Sequence, residues 1–363
     1  MQKPMQKRTE HTLAAAISCI PKSCYENPTW KGIAYAVRDA VIYAATIAAL
    51  AATDSPLLVA PLWILSGLAI SALFIVGHDA AHGSLFASSR LCYIVGQLCM
   101  LPSLHLYEMW VYGHNRIHHG HTTREVMDYV WHPSTPQEYA AMRPWQRLAH
   151  RIKWSWLGGG LYYLWDIWWT KMIRFTPPEK IVNEVRRDRW VVGTFAALAT
   201  AALLGWGYSM YGTLTGAIWL WTKLLAVPFV VWNYSIGIAV YVHHIAQDIH
   251  WQTRREWEKF AAQMEGTTIL HIPTFLNVFY HNIFLHVPHH VDMRIPFYGL
   301  PAATRALRES YGHVVRERRY RMRDYFTTTG RCKLFDFDKG VWCDYTGQSV
   351  EASPVPARFA AQG

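Results

Sequence analysis

The stretch PLLVAPLWILSGLAISALFIVG, residues 56–77, carries no Asp, Glu, Lys or Arg and runs straight into His78-Asp79-Ala80-Ala81-His82. About 20 apolar residues cross the hydrocarbon core of a bilayer as a helix. A charge-free run of this length that delivers two histidines at its end predicts a membrane span with chemistry at its edge. Three more runs have the same character: residues 40–53, 190–208 and 214–242, the last holding only Lys223. The gaps within each pair, 54–55 and 209–213, are short enough that each pair reads as a helical hairpin. Residues 91–112 and 145–175 differ. The second combines Trp145, Trp154, Trp156, Trp165, Trp168 and Trp169 with Arg147, Arg151, Lys153, Lys171 and Arg174. Tryptophan among basic residues favours the headgroup layer, so both segments are expected to be interfacial or re-entrant.

Composition agrees. Of 363 residues, 52% are hydrophobic and 17% charged, whereas a soluble chain is about a quarter charged. A disordered chain is excluded, and an ordinary water-soluble enzyme is disfavoured. The net charge is +10, but 34 of the 35 Lys and Arg fall on one side of a four-span arrangement. That side is expected to be cytoplasmic, and the basic excess then calls for no nucleic acid. Six cysteines without a C-x-x-C pair suit a reducing compartment. The expected organisation is an all-α integral membrane protein with two hairpins, interfacial helices and a cytosolic histidine-rich cap. Its parts are a cytosolic or interfacial segment at 1–39, a transmembrane domain with its cap at 40–315, and a basic, partly ordered tail at 316–363. A bacterial inner membrane is expected rather than endoplasmic reticulum.

The 19 histidines cluster. After His78 and His82 come His114-Asn115-Arg116-Ile117-His118-His119, then His243-His244 at the end of the fourth run, then His286-Val287-Pro288-His289-His290. Residues i and i+4 share a helix face. His78 with His82, and His114 with His118, are therefore expected to reach toward one ion each, and His119 lies about 100° further round. The third cluster repeats the pattern, with Pro288 predicting a turn or helix start. Eight such histidines plus one of His243 and His244 would overfill a tetrahedral site of four and suit two ions with open positions. Imidazole accepts Fe, Zn, Cu or Ni. Asp79 and Asp128 are candidate partners for the ligands. His11, His105, His121, His132, His150, His250, His271 and His313 are read as interfacial or hydrogen-bonding residues.

At these residues the sequence resembles the membrane fatty-acid desaturases with three histidine boxes, and within them the omega-6 (delta-12) and omega-3 branch. The likeness extends to Ile20-Pro21-Lys22-Ser23-Cys24-Tyr25-Glu26, to Tyr35-Ala36-Val37-Arg38-Asp39, to Tyr241-Val242-His243-His244, and to His281-Asn282-Ile283 and Ile295-Pro296-Phe297-Tyr298 around the third box. It covers roughly residues 14–311. The resemblance implies two non-haem irons held by His78, His82, His114, His118, His119, His244, His286, His289 and His290, with no catalytic side chain beyond these. Asp79, His243, His281 and Asn282 would support the ligands, and His244 matches the family's additional ligand better than His243.

The resemblance further implies oxygen-dependent desaturation of the acyl chain of a membrane lipid. An alkyl C–H is too inert for side-chain acids or bases, so the hard chemistry must sit on a cofactor. No dinucleotide fingerprint and no iron–sulfur cysteine pattern is evident, so electrons would come from a separate ferredoxin or cytochrome b5-like protein, steered by residues 316–323. Trp219, Trp221, Phe229 and Trp232 are candidate walls of an acyl slot. The boxes alone also fit a di-iron lipid or carotenoid hydroxylase or ketolase. A metal transporter is a weaker alternative, because transporters hold ions near mid-membrane. A zinc hydrolase would need an H-E-x-x-H.

Overall fold

The computed structural model describes residues 11–350. Four helices are long and apolar enough to cross a membrane: Thr29–Ala51, Pro56–Ala81, Glu179–Tyr211 and Leu214–His244. Each extends the charge-free run toward the predicted cytosolic side. The first gains a stretch that carries Arg38 and Asp39, and the third one that carries Arg186, Arg187 and Arg189. Turns of a few residues join them into two hairpins. Gly212, at φ 67°, closes the third helix in the left-handed region, where a side chain would be strained.

The second member of each hairpin is the inner one. Over their most apolar stretches the second and fourth spans are 61% and 44% buried, the first and third only 17% and 11%. Small residues allow this close packing. A Cβ on Gly67 would fall 2.5 Å from Val231 on the fourth span, and one on Gly237 would fall 2.2 Å from the Gly159 carbonyl. The two inner spans run in the same direction. Their C-terminal ends therefore deliver His78 and His82, and His243 and His244, to one layer. The fourth span contains a wide turn at Thr222–Ala226 just before Pro228, a proline that has no N–H to give an ordinary helix.

Residues 82–178 and 245–350 build the cap over this end. The helix Pro144–Lys153 leaves Trp145, Leu148 and Ile152 exposed, and Ser89–Met100 leaves Ile94 and Leu98 exposed. Apolar faces of this kind suit helices lying in the headgroup plane. Two short strand pairs were not anticipated. Ile269–His271 pairs in parallel with Glu317–Arg319, and Leu334–Asp336 pairs antiparallel with Val341–Cys343. The first pair crosses the expected boundary at 315/316, so the tail as far as residue 350 belongs to the cap, with Tyr325, Phe335 and Trp342 buried in it. Residues 1–10 and 351–363, the ends of the expected N-terminal segment and tail, lie outside the described residues. All six cysteines are free thiols.

Candidate metal centre

Side chains from four separate elements meet beneath the cap. His78 occupies the last turn of the second span and His82 caps it. His114 and His118 sit on a wide helix with i→i+5 bonding, Val111–His118, and the His119 N–H closes onto the His114 carbonyl. His244 ends the fourth span. His286, His289 and His290 share the short helix His286–Val291, where Pro288 falls harmlessly in the first turn.

The rings form two groups. His78, His82, His114 and His289 bring ligand nitrogens within 4.8 Å of one another, and so do His118, His244, His286 and His290. The pairing of His114 with His118 on one ion is thus corrected. The wide helix turns less per residue than an α-helix, so it brings His119, five residues on, round to His114, while His118 joins the other group. His119 lies between the groups, its Nε2 3.2 Å from His114 Nε2 and its ring stacked on His290 with centroids 4.3 Å apart.

The other ring nitrogens explain the convergence. The Nδ1–H of His78 donates to Asp79 (2.9 Å), and that of His118 to Asp128 (3.0 Å). His290 donates to Gln263 Oε1 (2.9 Å), His286 to the Ile283 carbonyl (3.0 Å) and His244 to the Gly266 carbonyl (3.2 Å). With Nδ1 carrying the proton, each Nε2 presents a lone pair inward. His78 Nε2 faces His114 Nε2 at 2.9 Å and His82 Nε2 at 3.2 Å. The Nε2 atoms of His244, His289 and His290 are buried without any hydrogen-bond partner. Burial, reinforced by the neighbouring imidazoles, holds His82, His114, His119, His286, His289 and His290 well below the usual histidine value. Neutral rings whose lone pairs converge without a donor fit a cation, and two groups fit two.

The carboxylates are anchored in turn. Asp128, fully buried, also accepts the N–H groups of Thr123 and Val130. It organises a loop in which Thr123, Val126 and Trp131 all take positive φ, a strain that persists only where surroundings enforce it. Asp79 accepts the Phe297 N–H as well. Gln263 and Thr122 were not singled out from the sequence. Gln263 Nε2 donates to the His119 carbonyl, and Thr122 Oγ1 lies 3.2 Å from His290 Nδ1.

Other expected supporting residues stand further off. His243 makes no ligand-group contact through nitrogen but stacks on His286 at 3.9 Å. His281 bonds to Asp39 (2.7 Å), approaches Arg38, and stacks on Phe297. It therefore touches the centre only through the residue that holds Asp79, not a box histidine. Asn282 and His281 adopt consecutive left-handed conformations and shape the turn before the third box.

An apolar slot of about 720 Å³, its open mouth included, ends on His78, His114, His118, His243, His244 and His286. Phe74, Trp110, Tyr163, Ile167, Ile236 and Val240 are among its walls. The four aromatics expected there are not. Trp232 packs one layer behind, against Phe74 and Tyr163, and Phe229 meets Trp168. Trp219 and Trp221 are bonded elsewhere, to Asp54 and Thr200. The slot runs between the inner spans and the segment 163–172, a juxtaposition that periodicity does not reveal.

Residues 55–322 match the family described as Fatty acid desaturase. The chain is 30% identical over 351 residues to the chloroplastic omega-6 fatty acid desaturase of Glycine max, covering 92% of this chain and 75% of that one. It is 28% identical to the sn-1 oleoyl-lipid 12-desaturase of Synechocystis sp., covering 89% of each. It is 27% identical to the sn-1 acyl-lipid omega-3 desaturase (ferredoxin) of the same organism, covering 86% and 85%. The chain belongs to the fatty acid desaturase family. It is a membrane oxidoreductase that desaturates fatty-acyl chains.

Proposed function

We propose that His78, His82, His114 and His289 hold one non-haem iron and His118, His244, His286 and His290 a second, with His119 completing the set beside His114. The observation that carries this is the convergence of two sets of imidazole nitrogens at the inner end of an apolar slot. Iron bound there would supply the oxidising power that an unactivated C–H bond and dioxygen require. The chain's own residues do the rest. The slot walls exclude water and fix which carbons lie beside the histidines, where small displacements are costly. Asp79, Asp128 and Gln263 keep the rings in the tautomer that binds metal.

The substrate is an acyl chain of a membrane lipid, with a cis double bond introduced at the delta-12 or omega-3 position, as the names of the similar proteins suggest. One of those names records ferredoxin, and an external donor of that class, or a cytochrome b5-like one, would supply the electrons. Two of the arginines expected to steer it are already engaged, Arg316 with Asp248 and Glu265, and Arg318 with Asp248. The charge count supports a centre on the cytoplasmic side of a bacterial inner membrane. Expression in a host of known lipid composition, followed by double-bond mapping, tests the reading. New dienoic or trienoic acyl chains support it, and hydroxylated chains without new unsaturation contradict it.

A further inference from the structure

We propose that Lys171 grips an anionic polar end of the acyl substrate, so that its distance from the histidines sets which carbons are presented to them. The inference rests on the desaturase reading of the centre. A second cavity of about 560 Å³, open on its outer side, is lined by Met109, Tyr112, Ile117, Val126 and Phe175 among others. It shares two residues with the inner slot, Tyr129 and Lys171. The two cavities are therefore neighbours, and Lys171 and Tyr129 stand between the outer one and the one that reaches the histidines. Among the described residues it is the only Lys, Arg, Asp or Glu lining either cavity.

Among the described residues no carboxylate forms a salt bridge with it, although Asp166 is near enough to feel its charge. The nearby carboxylate, Asp166, is taken by Lys153 at 2.6 Å. The contact Lys171 does make is over the Tyr129 ring, 5.4 Å from its centroid. A cation against apolar walls is costly unless paired, and lysine pairs with phosphate or carboxylate as a flexible point charge. A substrate that threads its hydrocarbon inward past Tyr129 would leave such a group at this point. The plainer reading is that Lys171 only reaches out to the headgroup layer, in which case it would not discriminate between substrates.

The test uses the full chain in vesicles with ferredoxin and a reductant, and three acyl substrates: phosphatidylglycerol, a neutral galactosyl diacylglycerol and an acyl thioester of coenzyme A. For whichever anionic substrate the wild type accepts, Lys171→Gln is expected to raise KM about tenfold with kcat within about twofold, and Lys171→Arg to restore most of it. The neutral lipid should be unaffected. The affinity of a fluorescent analogue of that anionic substrate for the metal-free protein should fall by the same factor. Unchanged KM and affinity for every anionic substrate, an equal rise for the neutral lipid, or a wild type that accepts only the neutral lipid would each overturn the proposal. A wild type that makes no double bond from any substrate would instead refute the desaturase reading, and the binding measurement would still decide the role of Lys171.

Discussion

The two ends of the membrane helices bury polar groups in opposite ways. At the hairpin tips the fully buried Lys223 reaches Asp54 at 2.7 Å and the Thr53 carbonyl at 2.9 Å, and Asp54 also accepts from Trp219 and Tyr211. Every charge there has a partner from the chain itself, and the cluster ties one hairpin to the other. At the cap end the outer nitrogens of His78, His118, His244, His286 and His290 are tied to the chain, but the inner ones are left facing each other. A closed network serves structure. A network closed on the outside and open on the inside is built for something the chain does not supply.

The comparison breaks if substitutions at the two ends have like effects. The largest effect is expected from His118→Ala or His289→Ala, one from each group. Either should abolish the unsaturated product and lower bound metal, while the protein still inserts, because the spans are untouched. Lipid analysis and metal content on the same preparation check this, and full activity would refute that ligand. Next is Asp128→Asn, which takes the negative charge from the acceptor of His118 and turns an amide N–H toward either the ring or the Thr123 N–H, without touching the slot. It should weaken metal binding by about 10–100-fold, read by chelator competition.

At the tips the effects should be small and confined to stability. Asp54→Asn should cost no more than about 1 kcal/mol, because Asp54 is half exposed and solvent screens the pair, and product formed per folded molecule should not change. Lys223→Met, which replaces a buried charge with apolar volume, should be close to neutral. The Asp54 carboxyl is pulled down to about 2 from 3.8, chiefly by hydrogen bonds from Lys223 and Trp219. A lowered carboxylate stabilises the fold above its unfolded value. The wild-type advantage over Asp54→Asn should therefore be constant at neutral pH and vanish as pH falls through 3.8 toward about 2. Thermal unfolding against pH reads it. The smallest effect is expected from the exposed Arg323, where Arg323→Ala should slow reduction by the donor by less than about twofold at low salt, and not at all at high salt.

Much of this was legible in the residues. Charge-free runs marked the spans, and the spacing in HDAAH, HNRIHH and HVPHH marked histidines that the fold brings together, because these signals are local and periodic. The division of His114 from His118 was not legible, since it depends on which rings from the other three elements meet each of them, a matter of tertiary packing that i, i+4 arithmetic does not contain. Gln263, Thr122 and the Gly266 and Ile283 carbonyls were invisible because they meet the histidines only through tertiary packing. The slot was misassigned to aromatics of the fourth span for the same reason. How the partly ordered tail packs into the cap was not legible, because charged surface residues at 316–323 mask the buried Tyr325, Phe335 and Trp342.

The most direct measurement is the iron content of the purified, iron-replete protein, taken together with its activity before and after chelation. The account predicts two irons per chain, fewer in the His118→Ala and His289→Ala proteins, and loss of desaturation when iron is stripped. An active preparation with no transition metal, or one whose activity survives complete stripping, would contradict it.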